Sequence, residues 1–220
     1  MAKSPIDICN KALDLLGQEA DIGNIETPTT DNEKICARWY PDTLKFLLRR
    51  YMWNFAVWDT ELPQDLKTKF YGYERAYKLP QDFIRLIGLN GQKALQLIDY
   101  KLAGGYIFLN GCKTDDSSNN SIHLEYIRFI KDVTAFDSNF SYLLSLYLAV
   151  NMAYRFTNKQ TNVERLYKMI EAEEAKIVSI DGQEQPPKRI QYSRYRRARH
   201  GYRHDYDFMK RPVKFVSEDE

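Results

Sequence analysis

Apolar residues recur at helical spacing in four stretches of the chain and at alternating spacing in the interval between the second and third. Ile6, Cys9, Leu13 and Leu16 fall on one face of a first helix. Ser4 can cap it, Pro5 suits a first-turn position that needs no amide donor, and Gly17 can stop it. A turn-rich link through Gly23 and Pro28 leads to a second helix, capped by Thr30 or Asp31 and carrying Ile35, Trp39, Leu44, Leu47, Leu48 and Tyr51. Pro41 lacks a donor and crowds the preceding turn, so the pattern predicts a kink or a division near Tyr40. Beyond residue 136, Asp137 or Ser138 can cap a third helix with Phe140, Leu143, Leu144, Tyr147, Leu148 and Tyr154. A fourth starts near Asn162 with Val163, Leu166, Ile170 and Ile177. Narrow apolar stripes cannot be hidden by one helix alone, so the four are expected to pack as a bundle.

Between Trp58 and Ala135 the period falls to two. Phe83 to Leu89, Leu95 to Tyr100, Tyr106 to Leu109 and Ile122 to Ile127 read as short strands. Asn90-Gly91, Gly104-Gly105 and the polar run Asp115 to Ser121 separate them, which predicts antiparallel hairpins and a meander. The fold class expected is therefore α+β: an antiparallel helical bundle (1–58 and 135–185), an inserted antiparallel β module (59–134) and an extended C-terminal arm (186–220).

Composition narrows the class without changing it. With 220 residues, 44% hydrophobic and 28% charged, the chain can bury a core of its own and is neither collagen-like nor wholly disordered. Mean hydropathy is −0.56. No run approaches the roughly 20 apolar residues of a membrane span, and Asp7, Asn10, Lys11 and Asp14 interrupt any signal-peptide layout, so neither membrane insertion nor secretion by that route is expected. Cys9, Cys36 and Cys112 are widely spaced and form no CxxC pair, as expected of reduced core thiols. His200 and His204 have a helical ligand spacing, but basic residues crowd them and no carboxylate or thiol completes a site, so no metal or other cofactor is expected.

Charge separates the last 35 residues from the rest. From Pro186 to Glu220, ten Lys or Arg face five acids, a net +5, whereas residues 1–185 carry 22 basic against 25 acidic, a net −3. Lys188 to Arg203 holds seven cations and no acid, with Tyr192, Tyr195 and Tyr202 interleaved among Arg194, Arg196, Arg197, Arg199 and Arg203. Arginine and tyrosine together suit phosphate contact and base stacking, and equally suit an arm that orders on a protein partner. The run Tyr51-Met52-Trp53-Asn54-Phe55-Ala56-Val57-Trp58 is denser in aromatics than a helix end requires. Tyr51, Trp53, Phe55 and Trp58 are expected either to plug the junction between modules or to anchor another subunit. No nucleophile elbow, phosphate loop, HExxH or dinucleotide fingerprint is present, and the acid pairs Asp115-Asp116 and Glu173-Glu174 read as solvated loop and helix surface, so no enzyme activity is expected.

Four segments together carry a resemblance: ICNKALDLLG from Ile8 to Gly17, CARWYPDTLKFLLRRYMWNFA from Cys36 to Ala56, YKLPQDFIRL from Tyr77 to Leu86, and LEYIRFIKDVTAFDSNFSYLLSLYLAVNMAYRFT from Leu124 to Thr157. In collinear order over roughly residues 6–180 they resemble the phage tail tubular protein A family, head-to-tail adaptors of short-tailed phages, with WNFA and LPxDFxRL the most specific parts. The resemblance implies a virion protein of the tail connector, assembled in the host cytoplasm as a dodecameric ring between portal protein and tail nozzle protein. Genome DNA would pass through its channel without specific binding, and no catalytic residues are implied. A net-negative body lining that channel would weakly repel passing DNA. The arm after Gln185 lies outside the resemblance. Tyr192, Arg194, Tyr195, Arg196, Arg197, Arg199, Tyr202 and Arg203 in it are expected to bind the portal or a neighbouring subunit, and the alternative is a nucleic-acid-binding module acting through the same arm.

Overall fold

Reciprocal capping starts the first helix. In the computed structural model, which describes residues 4–91, 95, 98–110, 121–156 and 160–183, the Ser4 hydroxyl accepts from the Asp7 N–H and the Asp7 carboxylate accepts from the Ser4 N–H. This opens α1 (Pro5–Leu16), which Gly17 ends at φ 70°, a left-handed conformation that suits glycine. Thr30 and Glu33 form a second capping box at the start of α2 (Asp31–Arg50). The division predicted at Pro41 does not occur, because α2 continues for nine residues beyond it. Asp137 accepts from the Ser138 and Asn139 N–H groups at the start of α3 (Ser138–Phe156), and α4 spans Gln160–Gln183.

α3 is the axis of the bundle, with α1, α2 and α4 each packed against it. It buries Phe140, Leu143, Leu144, Leu146, Leu148, Ala149, Met152 and Ala153, a set too wide for a single stripe. Several expected core positions, Ile35, Tyr51, Tyr147 and Val163 among them, are less buried than the periodicity implies. Ile6 is only partly buried and Ile8 takes the core place in α1, Trp39 lies on the solvent side of α2, and Tyr154 in the last turn of α3 is 93% exposed.

Among the described residues, six strands occupy the interval between the helical pairs. β1 (Val57–Pro63), β6 (Ser121–Arg128) and β3 (Phe83–Leu89) form one antiparallel sheet in the order β1-β6-β3, and β2 (Arg75–Lys78), β5 (Tyr106–Leu109) and β4 (Tyr100–Ala103) form another in the order β2-β5-β4. Gly104 and Gly105, both at positive φ, close the β4–β5 hairpin. The predicted meander is not formed. Asn90 exchanges hydrogen bonds with the His123 backbone, its N–H donating to the carbonyl and its side-chain oxygen accepting from the N–H, so β3 continues along β6 instead of folding onto β4. Other boundaries also shift: Leu95 and Ile98 precede a strand that starts only at Tyr100, the modular boundary at residue 58 falls inside β1, and Ser121 belongs to β6 rather than the preceding turn.

The β1-β6-β3 sheet feeds two cores. Ile87 and Ile127 join the helical core together with Ile130, Val133 and Phe136, while Leu62, Leu86, Leu89, Ile122, Leu124 and Tyr126 pack with Tyr77, Ile107 and Leu109 of the second sheet. Alternation along β6 is the cause, since successive side chains point to opposite faces. Cys112, the acid pair Asp115-Asp116, Leu97, His200, His204 and the arm from Pro186 lie outside the described residues.

Candidate interaction surfaces

The aromatic run after α2 is divided by the fold. Trp53 is 2% exposed, its indole N–H donates to the Leu47 carbonyl at 2.9 Å, and its ring meets Phe140 edge-on with centroids 4.9 Å apart. Tyr51 packs edge-on against Trp53, and Phe55 packs on Trp53, Phe136 and Phe140. These three rings therefore fill the junction between bundle and sheet, where edge-to-face geometry adds to simple burial. Trp58 differs. As a β1 residue it is 49% exposed, with the Arg128 guanidinium 4.2 Å from its ring centroid.

Glu173-Glu174 does not behave as a solvated pair. Glu173 pairs with Lys176, but the Glu174 side chain is only 15% exposed and receives Arg50 at 3.1 Å and the Tyr147 hydroxyl at 2.8 Å. Arg50 also donates to the Tyr51 hydroxyl and lies over the Phe46 and Tyr147 rings. Burial, reinforced by the bond to Glu174, pushes the Tyr147 phenol well above its ordinary range. Three helices, α2, α3 and α4, thereby meet at one end of the bundle. Nearby, the Asn54 N–H donates to the Asp181 carboxylate and the Asn54 amide to the Asp181 carbonyl, fixing the last turn of α4 against the junction. The chemistry of this cluster, a carboxylate shared by a guanidinium and a phenol across three helices, is that of a structural lock.

Among the described residues, two concave surfaces border the β1-β6-β3 sheet. One, of about 760 Å³, is lined by Trp58, Asp59, Asn90, Gly91, His123 and Glu125. In register, Asp59 stands opposite Glu125 and Glu61 opposite His123, so the exposed half of that face is acidic. The other, of about 1000 Å³, lies where α2 meets the start of β3, with Lys45, Arg49 and Lys131 over Phe83 and Phe129. Its one acid, Asp82, accepts from the Tyr126 hydroxyl at 3.1 Å, and burial with that bond pushes the phenol up to about 12. A third concavity between α2 and α3 holds Lys34, Arg38, Trp39 and Arg155.

Sequence reasoning passed over Glu33 and both charged sheet surfaces, and it read Glu174 as solvated helix surface. The capping pattern Thr30-x-x-Glu33 signals the first; the others depend on pairing between distant segments. The arm residues Tyr192, Arg194, Tyr195, Arg196, Arg197, Arg199, Tyr202 and Arg203 lie outside the described residues. Among the described residues, no three His, Cys, Asp or Glu side chains converge as metal ligands, and no helix is long and apolar enough to cross a membrane. Cys9 and Cys36 are buried thiols; the hydrogen bond between them, with burial, pushes Cys9 far above the ordinary thiol range. Compared with models of known protein families and with curated proteins, the chain matches none.

Proposed function

We propose that this chain is a structural virion protein, a head-to-tail adaptor that assembles as a ring between a portal protein and a tail nozzle protein and lines the DNA exit channel. The observation that carries the reading is the placement of the two most specific segments of the resemblance. Trp53 to Ala56 of WNFA seals the helical bundle to the sheet, and Asp82 of LPxDF takes the Tyr126 hydroxyl while its carbonyl accepts from the Phe129 N–H. The first is a joint between bundle and sheet and the second a joint between the start of β3 and the end of β6, positions at which a shared architecture constrains a sequence. Assembly asks nothing of a catalytic residue or cofactor.

The arm from Pro186 is assigned to a protein partner. Seven uncompensated cations per subunit facing the lumen, repeated around a ring, would bind phosphates strongly at low salt and hinder ejection. Facing an acidic portal or neighbour they gain bidentate carboxylate partners, and Tyr192, Tyr195 and Tyr202 supply rigid anchors. Electron microscopy of purified virions should place a ring of this protein, expected to hold twelve copies, below the portal. Its absence from the virion, or its presence as a single copy, would overturn the assignment. Truncation after Gln185 should leave the circular dichroism of the body intact and abolish co-sedimentation with portal. If portal binding persists and DNA affinity collapses, the arm acts on nucleic acid instead.

A further inference from the structure

We infer that the loop of residues 64–74 in one copy of this chain docks through Leu66 and Tyr71 on an aromatic face that Trp39, Tyr154 and Tyr167 present across α2, α3 and α4 of the next copy. This rests on the ring assembly proposed above and names the surfaces that build it.

The face follows from the way the three helices are locked. Phe46 meets Tyr147 with ring centroids 5.6 Å apart, and the Tyr147 hydroxyl donates to Glu174 at 2.8 Å, so these three residues mark one level of α2, α3 and α4. Further along α3 and further back along α2, the Asn151 amide donates to the Thr43 hydroxyl at 2.9 Å, so these two helices run antiparallel. α4 returns along α3 after a short link. About two turns from the marked level, on the same side of each helix, stand Trp39, Tyr154 and Tyr167. Tyr154 is 93% exposed and Tyr167 56%, with Trp39 and Phe46 also open to solvent. Large rings left in water on three adjacent helices form an apolar patch of the kind that marks an interaction site.

The loop has a fixed root and an exposed tip. Phe70 packs on Phe108 with centroids 5.0 Å apart, the Lys67 N–H and Thr68 hydroxyl donate to the Asp65 carboxylate, and the Asn110 amide donates to the Gly72 carbonyl. Between these anchors Tyr71 is 100% exposed and Leu66 74%. Apolar side chains held out on a fixed loop lose little freedom on binding, which suits interface anchors. Within one chain the loop cannot reach the face. Ile107 and Leu109 point into the core shared with the β1-β6-β3 sheet, so Phe108 between them, and Phe70 upon it, lie on the outer side of the second sheet. Both sheets thus stand between loop and bundle, about 20 Å at the spacing of packed layers. Charge sets the pairing. Glu164 and Glu171 lie one turn either side of Tyr167 and form no ion pair with a described residue, nor does Lys168 beside them, while Arg165 donates to the Leu15 carbonyl. In the loop Lys67 and Lys69 are exposed and likewise unpaired. Arg38 and Arg155 border the opposite, Trp39 side of the face, so the surrounding charges give the contact a direction. Because loop and face are different surfaces, their contact is heterologous and repeats from copy to copy until it closes.

The test uses the full chain, with isotopically light and heavy protein mixed, a zero-length carbodiimide crosslinker and peptide mass spectrometry. Mixed light-heavy amide links from Lys67 or Lys69 to Glu164 or Glu171 are expected, and their absence at high protein concentration overturns the inference. Leu66→Ala with Tyr71→Ala, or Tyr154→Ala with Tyr167→Ala, should each weaken self-association about ten-fold or more by sedimentation. Lys67→Glu with Lys69→Glu, or Glu164→Lys with Glu171→Lys, should each weaken it at low salt. All four charge substitutions in one chain should restore it, which also excludes misfolding as the cause of the losses. If the Tyr154 and Tyr167 variant keeps full self-association but loses co-sedimentation with portal, the face belongs to the portal and the inference fails. Rings in virions without these links would sink the interface and spare the adaptor reading; these links in a protein absent from virions would do the reverse.

Discussion

Glu33 satisfies five donors with one carboxylate. Its Oε1 accepts from the Gly23 and Asn24 N–H groups, and its Oε2 from the Thr29 N–H and hydroxyl and the Thr30 N–H. The loop from Ile22 to Thr30 is thereby folded onto the start of α2, and its amides, which no ladder pairs, find acceptors. The Thr30, Thr29 and Asn24 amides, with the Thr29 hydroxyl, hold the Glu33 carboxyl far below the usual carboxylate range. Since the folded-state pKa is depressed, the stability it confers is fully present above the unfolded value of about 4.3 and is lost as pH falls from there toward the folded value. Glu33→Gln should lower Tm at pH 7 and shrink the difference in Tm between pH 7 and pH 3, read by calorimetry. An unchanged difference would mean that the carboxylate charge is not what holds the loop. A residue of this kind is half legible in sequence: the spacing from Thr30 announces a capping box, but the other four of the five donors come from a loop with no periodic signal. Glu174 was not legible at all, because its partners Arg50 and Tyr147 lie on two other helices.

Among the elements, caps made the helices readable and pairing made the strands hard to read. Ser4, Thr30, Asp137 and Gly17 mark helix ends by local chemistry that any sequence displays. β1 hides because Val57-Trp58 continues an aromatic run and Leu62 is the one buried apolar residue in the rest of the strand, and β2 is only four residues long. The β3–β6 pairing joins segments more than thirty residues apart across an intervening hairpin, information that periodicity does not hold. α2 shows the opposite failure, a local rule overridden by packing. Pro41 is exposed and removes one helical hydrogen bond, yet Cys36, Tyr40, Leu44, Leu47 and Leu48 on the buried face carry the helix through it. Pro41→Ala should therefore stabilise the protein by about 1–3 kcal/mol in urea unfolding, within the penalty of an interior proline. A loss of stability instead would show that the bend proline imposes is used in seating α2 against α3.

For the whole molecule, the order of helices, strands and helices reads as an insertion, and that order invites the expectation that residues 59–134 can be removed to leave a sound bundle. The cores argue otherwise. Ile87 from β3 and Ile127 from β6 belong to the helical core, with Ile84 and Val57 packed against it, and Ile130 and Val133 follow directly. Excising the strands takes away the apolar floor on which α2 and the Trp53 junction rest, since α2 contacts both β3 and β6. The deletion of several buried isoleucines, each worth about 2–5 kcal/mol on truncation to alanine, approaches or exceeds the total stability of an ordinary domain. The helices themselves do not need the sheet for their caps, since Ser4, Thr30 and Asp137 lie outside it. A chain with residues 59–134 replaced by a short glycine-serine linker should thus retain far-UV helical dichroism but lose near-UV dichroism, bind a hydrophobic dye and melt without a sharp transition. A cooperative transition with native near-UV signal would show that the bundle closes over the missing floor, and the sheet would then be an appendage rather than a wall of the helical core.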